Sequence, residues 1–225
     1  VNNALQRIQA DGASIVEGGT DWRQVPEGKK FSDIVGGRNN KRSVAANNTT
    51  ESSGRTQAGG AASVLLSRLA GFHLGSGEDT TGLGRWVWQL VGSGSTRTRI
   101  VTAYQPTRPQ RRCSGNNRRG YATVWAQHRR YFRKRGIFDT PRRMWQDQLA
   151  KQLAEWKLAG DEIILFADVN ENVYTGNFAT RLMAGDLIMT EQFEAANGYQ
   201  APASHFRGRT PITGCFATQG IDCLA

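Results

Sequence analysis

Five consecutive apolar residues, Ile163-Ile164-Leu165-Phe166-Ala167, lie between Gly160 and the polar triplet Asp168-Val169-Asn170. The run is too short for a helix between those flanks and shows no polar alternation, so it reads as a strand buried on both faces. A strand of that kind must be covered on each side by helices or by a second sheet. One cover is legible immediately upstream. Thr140-Pro141 supplies an N-cap and a first helical position, and Trp145, Leu149, Leu153 and Trp156 follow at helical spacing before Gly160. A further helical stretch carries Tyr121, Val124, Trp125, His128, Tyr131 and Phe132 and ends at Gly136.

The rest of the chain alternates in the same manner. Asn3 can cap a short helix with Leu5 and Ile8 that stops at Gly12, and Ser14-Ile15-Val16-Glu17 reads as a strand running into Gly18-Gly19. Residues 38–60 are rich in Asn, Ser, Thr and Gly with almost no large apolar side chains, which predicts a polar loop insertion. Apolar content resumes from Ala61 to Leu74. Trp86 to Val91 and Thr98 to Tyr104 then form two strands around a Gly/Ser turn. With no internal repeat and no second boundary, residues 1–225 are expected to form one mixed α/β domain.

Charge narrows the partners. The chain of 225 residues has a formal charge of +10, but twelve Lys/Arg and one acid fall between Arg108 and Arg143, a local surplus of +11 that leaves the remainder close to neutral. Eleven of the twelve are arginines, whose guanidinium forks bind phosphate oxygens bidentately. Interleaved with Trp125, Tyr131 and Phe132, they form the footprint of a nucleic-acid-binding surface, in which Arg129, Arg130, Arg133 and Arg135 are candidate phosphate contacts. A solvated helix exterior would also be charged, so phosphate contact and simple solvation remain the two readings of this run. No apolar stretch approaches the length of a membrane span. Cys113, Cys215 and Cys223 form no C-x-x-C pair, which points away from a disulfide framework and towards a reducing, intracellular setting.

The candidate chemistry lies at strand ends. Asp168 and Asn170 are two apart and follow the buried strand, so in an extended segment they point to one side, where a carboxylate and an amide can orient a water and steady a phosphoryl oxygen. Asp-x-Asn also opens ordinary turns, and spacing alone does not separate the two readings. Glu17, at another strand end, offers the hard oxygen ligand that Mg2+ takes alongside substrate phosphate. His128 falls on an apolar stripe and reads as a packed histidine. His205 beside Ser204 has no G-x-S-x-G elbow around it and reads as a loop histidine near substrate. Gly82-Leu83-Gly84 and Gly59-Gly60 read as turns, and Trp86, Trp88, Trp145 and Trp156 as core.

Taken in order, the strand ending at Glu17, Ile100-Val101-Thr102-Ala103-Tyr104-Gln105-Pro106, a helix, and Ile163 to Asn170 resemble the endonuclease/exonuclease/phosphatase superfamily, and in particular the nicking endonucleases of non-LTR retrotransposons. Ser204-His205-Phe206 followed by Gly220-Ile221-Asp222-Cys223 resembles that family's later motifs. The resemblance implies a four-layer α/β sandwich of two packed mixed sheets with the active site at their open edge. It implies a Mg2+ (or Mn2+) dependent phosphodiesterase acting on nucleic acid, expected to be DNA, fused to a reverse transcriptase in a retroelement polyprotein and working in the nucleus. By that likeness Glu17 is the metal ligand, Tyr104 contacts the scissile phosphate, Asp168 orients or activates the water, Asn170 holds the phosphate or the nucleophile, and Asp222 builds the far wall. The Ile-Asp slot has two registers. Pro211-Ile212-Thr213-Gly214 can also occupy it, with Thr213 in place of the carboxylate; Asp222 is preferred because it keeps the charge. The family's first Asn-bearing strand and its terminal Ser-Asp-His segment have no counterpart in these residues, so the expectation is a domain trimmed at both ends. The alternative expectation is a non-catalytic nucleic-acid-binding module of the same fold.

Overall fold

Apolar side chains divide between the two faces of the strands, and that division builds the molecule. The protein is described by a computed structural model covering residues 13–16, 41–51, 60–108, 123–205 and 208–221. A three-stranded antiparallel sheet contains β1 (Ala13–Val16), β2 (Lys41–Ala46) and β3 (Ala61–Leu66) in the order β1-β3-β2. A six-stranded mixed sheet contains β4 (His73–Glu78), β5 (Trp86–Ser93), β6 (Thr96–Tyr104), β7 (Glu162–Asp168), β8 (Met189–Glu191) and β9 (Thr213–Thr218) in the order β4-β5-β6-β7-β9-β8. Among the described strands only β6 and β7 run parallel, so the chain between them must cross over. The helices are α1 (Ser67–Gly71), α2 (Val124–Arg133), α3 (Pro141–Leu158), α4 (Asn177–Met183) and α5 (Gln192–Asn197).

Strand β7 is buried on both faces, as its composition requires. Ile163, Leu165 and Ala167 join Trp145, Leu149, Leu153 and Trp156 of α3 in the main core. Ile164 and Phe166 point the other way, packing with Ile100 of β6 and Leu65 of β3 between the sheets. Helix layer, larger sheet and smaller sheet thus stack into an α/β sandwich. The helix expected from Asn3 lies outside the described residues. Thr140 caps α3 with its hydroxyl, which accepts from the Arg143 N–H at 3.2 Å, and Pro141 occupies the first turn.

Two parts of the fold depart from the sequence reading. The segment expected to be a polar loop from 38 to 60 contains β2, paired with β3 along its whole length from Lys41 opposite Leu66 to Ala46 opposite Ala61. Its outward residues are polar because it lies at the edge of the smaller sheet, and only Ala46 of the six is fully buried, so the strand carries little apolar signal of its own. The loop after it is docked. Asn48 donates to Gln127 Oε1 of α2 at 2.9 Å, while Glu51 accepts from Lys134 at 2.8 Å. Gly84, at φ +68°, permits this approach, since a Cβ there would lie 2.6 Å from the Asn47 backbone. Strand β4 was also hidden in the sequence, because Gly77 leaves room for the Trp88 ring directly opposite it.

Candidate active site and its basic cleft

The register of three strands places three polar side chains in a row. Tyr104, last in β6, lies opposite Asp168, last in β7, and Asp168 lies opposite Thr213, first in β9. Residues paired in this way share a face at strand spacings of about 4.8 Å. The face is the one turned towards the smaller sheet, since Ile164, Phe166, Ile100 and Cys215 of the same alternation pack between the sheets. The row therefore sits at the end of the sandwich, where the strands stop.

Asp168 is half-buried, and burial pushes its carboxyl above the usual carboxylate range, with the Asn170 N–H donating to Oδ1 at 3.1 Å as the smaller opposing effect. Among the described residues no basic side chain touches it. Asn170 completes this Asx turn in the left-handed region, φ +47°. Three contacts hold it there. Its Nδ2 donates to Gln105 O at 2.7 Å, Arg142 Nη2 donates to Asn170 O at 3.1 Å, and Gln105 Nε2 donates to the neighbouring Val169 O. Gln105 is fully buried, and its Oε1 accepts from Gln146 Nε2 of α3 at 2.9 Å; Gln146 also reaches Glu171 Oε1 at 3.3 Å. On the far side, Ser204 Oγ accepts from the Ile212 and Thr213 N–H groups at 2.9 and 3.1 Å, setting the start of β9. Tyr104 places its hydroxyl 3.4 Å from Thr107 Oγ1.

Tyr104, Asp168, Asn170 and Thr213 are thus brought together. Glu17 and Asp222 lie outside the described residues. Gly220, two positions before Asp222, packs against Glu162 at the opposite end of β7, about 20 Å along the strand from Asp168. Among the described residues no group of three or more His, Cys, Asp or Glu side chains is placed to hold a metal ion. His128 is buried and its imidazole is lowered to about 3 by desolvation and then by Arg85, so it is a neutral core residue, as its apolar stripe suggests.

Beside the row opens a cleft of about 500 Å³, lined by Arg108, Trp125, Arg129, Arg133, Phe138 and Arg142 and by the first turn of α3. Arg142 links the two features, since it lines the cleft and also contacts the Asn170 carbonyl. The four arginines singled out in the sequence separate here. Arg129 and Arg133 face the cleft, Arg130 pairs with Glu51 at 3.5 Å, and Arg135 lies over the Tyr131 ring at 3.6 Å. Tyr131 and Phe132 are buried, leaving Trp125 as the one aromatic of that trio in the cleft. Sequence reasoning quoted Ser204 only within the Ser204-His205-Phe206 motif, and it gave no role to Gln105, Gln146, Arg142 or Phe138. Gln105 stands directly after Tyr104 and could have been found as a polar residue at a strand end; the others carry no local signal, because their partners are remote in sequence.

Two packed sheets with helices on the outer face, and a row of polar residues where the strands stop, make a fold that this chain shares with a solved catalytic domain. The human Nocturnin catalytic domain, solved with a bound sulfate anion, is similar to 96% of this chain and 73% of that one, with a TM-score of 0.56 and 11% identity. D. rerio TDP2, complexed with a single-strand DNA product, matches 78% of this chain and 62% of its own, at TM-score 0.41 and 11% identity. The endonuclease domain of TRAS1, a telomere-specific non-LTR retrotransposon, matches 96% of this chain and 78% of its own, at TM-score 0.38 and 13% identity. At these identities the likeness is one of fold. No protein-family model and no curated protein sequence matches the chain.

Proposed function

We propose that the protein is a metal-dependent phosphodiesterase that cleaves nucleic acid, of the DNA-nicking endonuclease type, from a retroelement polyprotein that also carries a reverse transcriptase and acts in the nucleus. The observation that carries this reading is the row Tyr104–Asp168–Thr213, with Asn170 beside it, opening next to an arginine-lined cleft. In-line attack on a phosphodiester needs a positioned water, hydrogen-bond donors on the non-bridging oxygens and an offset for developing negative charge. Asp168 orients the water and accepts its proton, a role favoured by a carboxyl whose pKa burial has raised. Asn170, fixed by Gln105 and Arg142, presents its amide to the phosphate or the nucleophile, and the Tyr104 hydroxyl donates to a phosphate oxygen. Arg129 and Arg133 hold the flanking backbone. A desolvated Asp168 with no ion-pair partner among the described residues fits a site that takes a divalent cation, with Glu17 as the proposed ligand. Mg2+ or Mn2+ there would offset charge on the phosphoryl oxygens.

The second reading is a binding module without turnover. It is favoured by Thr213, a hydroxyl, standing beside Asp168 where the resemblance expects a carboxylate, and by the lack of a three-ligand group among the described residues. Nicking of supercoiled DNA with Mg2+ separates the two. Cleavage that falls about 10²–10⁴-fold in Asp168→Ala supports the enzyme; equal rates in the variant sink the assignment of Asp168, and tight binding with no cleavage leaves the module.

A further inference from the structure

The basic cleft contains more than charge. Trp125, Arg129 and Arg133 are spaced four apart on α2 and so lie on one face, and Phe138 beside them is 82% exposed, with its ring open to solvent. An exposed phenylalanine next to three arginines offers a free ring face beside a cationic surface, the pairing that a planar, anionic ligand takes. The first turn of α3 adds a second, independent sign. It has no acidic residue, and it carries Arg142 and Arg143 at the positive end of an 18-residue helix dipole. Asp139, which also lines the cleft, lies 3.6 Å from Arg143, and Glu171 lies 3.9 Å from Arg142, whose Nε is buried without a partner. Arg108, Arg129 and Arg133 have no acidic partner among the described residues. Like charges held against a helix N-terminus are relieved by a bound anion.

We infer that the cleft seats an unpaired nucleotide of a single strand, with the base stacked on Phe138 and Trp125 and its phosphates on Arg108, Arg129 and Arg133. This deepens the nucleic-acid reading above and rests on it. Duplex bases have both faces covered by their neighbours, whereas a single-stranded base offers a free face to an aromatic ring. The cleft volume lies within the range of sites for small ligands. The chain would therefore grip the single-stranded flank of its substrate while the row at the strand ends meets the backbone.

Fluorescence anisotropy of the full chain tests this, with a labelled oligothymidylate and a duplex of equal length in EDTA, so that no cleavage intervenes. Phe138→Ala is expected to weaken oligothymidylate binding about tenfold, leaving the duplex affinity unchanged. Replacing Arg129 and Arg133 together by Ala should lower the slope of log affinity against log salt for the single strand by about 1.4. Because Phe138 is exposed, a folding defect is not expected, and matching melting curves check this. No effect of Phe138→Ala, or equal weakening for single strand and duplex, overturns the inference. If the binding pattern holds but supercoiled DNA is never nicked, the phosphodiesterase reading fails and the cleft stands; if nicking holds without the Phe138 effect, the cleft alone fails.

Discussion

Asp168 sits where its own charge is disfavoured. Burial raises its pKa, and among the described residues only a backbone N–H offsets that. A carboxyl whose folded pKa is raised destabilises the fold where it is ionised, and the penalty disappears once the pH is low enough to protonate it in both states. Asp168→Asn is therefore expected to raise the melting temperature at pH 7 in EDTA and to give no gain near pH 3, while abolishing nicking. A lower melting temperature at pH 7 would mean that the carboxylate is structurally paired instead. Asn170 is held in a conformation that non-glycine residues rarely adopt, and its restraints come from Gln105, Gln146 and Arg142, none of which adjoins it in sequence.

Helix α3 positions the site from below. Its apolar stripe of Trp145, Leu149 and Leu153 is fully buried on β7, and the same helix sends Gln146 to Gln105 and Arg142 to Asn170. Sequence spacing identified the stripe and the cap, because capping and periodicity are local. It could not identify which polar residues of the helix face the loop after β7. Thr140→Ala removes the hydroxyl that accepts from Arg143 N–H and is expected to cost about 1 kcal/mol in denaturant unfolding. A cost below a few tenths would show that the first turn is held by Pro141 and packing alone. The reverse case is β2, whose alternation is too polar to read and whose existence depends on the apolar edge of β3.

The two sheets and the helix layer are tied together by buried polar groups, and these set the molecule's response to acid. Arg85, 1% exposed, forms an ion pair with Asp79 through Nε at 2.5 Å and reaches Gln148 of α3 at 2.6 Å. Burial raises the Asp79 carboxyl, but the hydrogen bond and charge of Arg85, with Thr81, outweigh it and hold the group below its ordinary value. His128, lowered to about 3, stays neutral in the fold and charges freely when unfolded. Its lowered pKa means that stability is complete above the ordinary value of 6.5 and is lost as pH falls from there towards 3. Unfolding free energies measured across that window should fall by up to about 1.4 kcal/mol per pH unit, and His128→Gln should flatten the slope by one proton. An unchanged slope in His128→Gln would place the sensitivity elsewhere; the Asp79 contribution belongs to the range below 3.8.

The elements whose signals are local are legible in the sequence: the doubly buried β7, the capped α3, the β5–β6 hairpin, the packed tryptophans and the arginine surplus between 108 and 143. The sequence also placed Asp168 and Asn170 at a strand end. Apart from that hairpin, the neighbours of each strand follow from the tertiary packing alone, which set Thr213 next to Asp168, paired Arg130 with Glu51, and gathered Arg108, Arg129, Arg133 and Phe138 into one cleft. The reason is physical. Caps, periodicity and burial are written within a few residues, whereas register and side-chain contacts between remote segments are fixed by packing two sheets and a helix layer around one core.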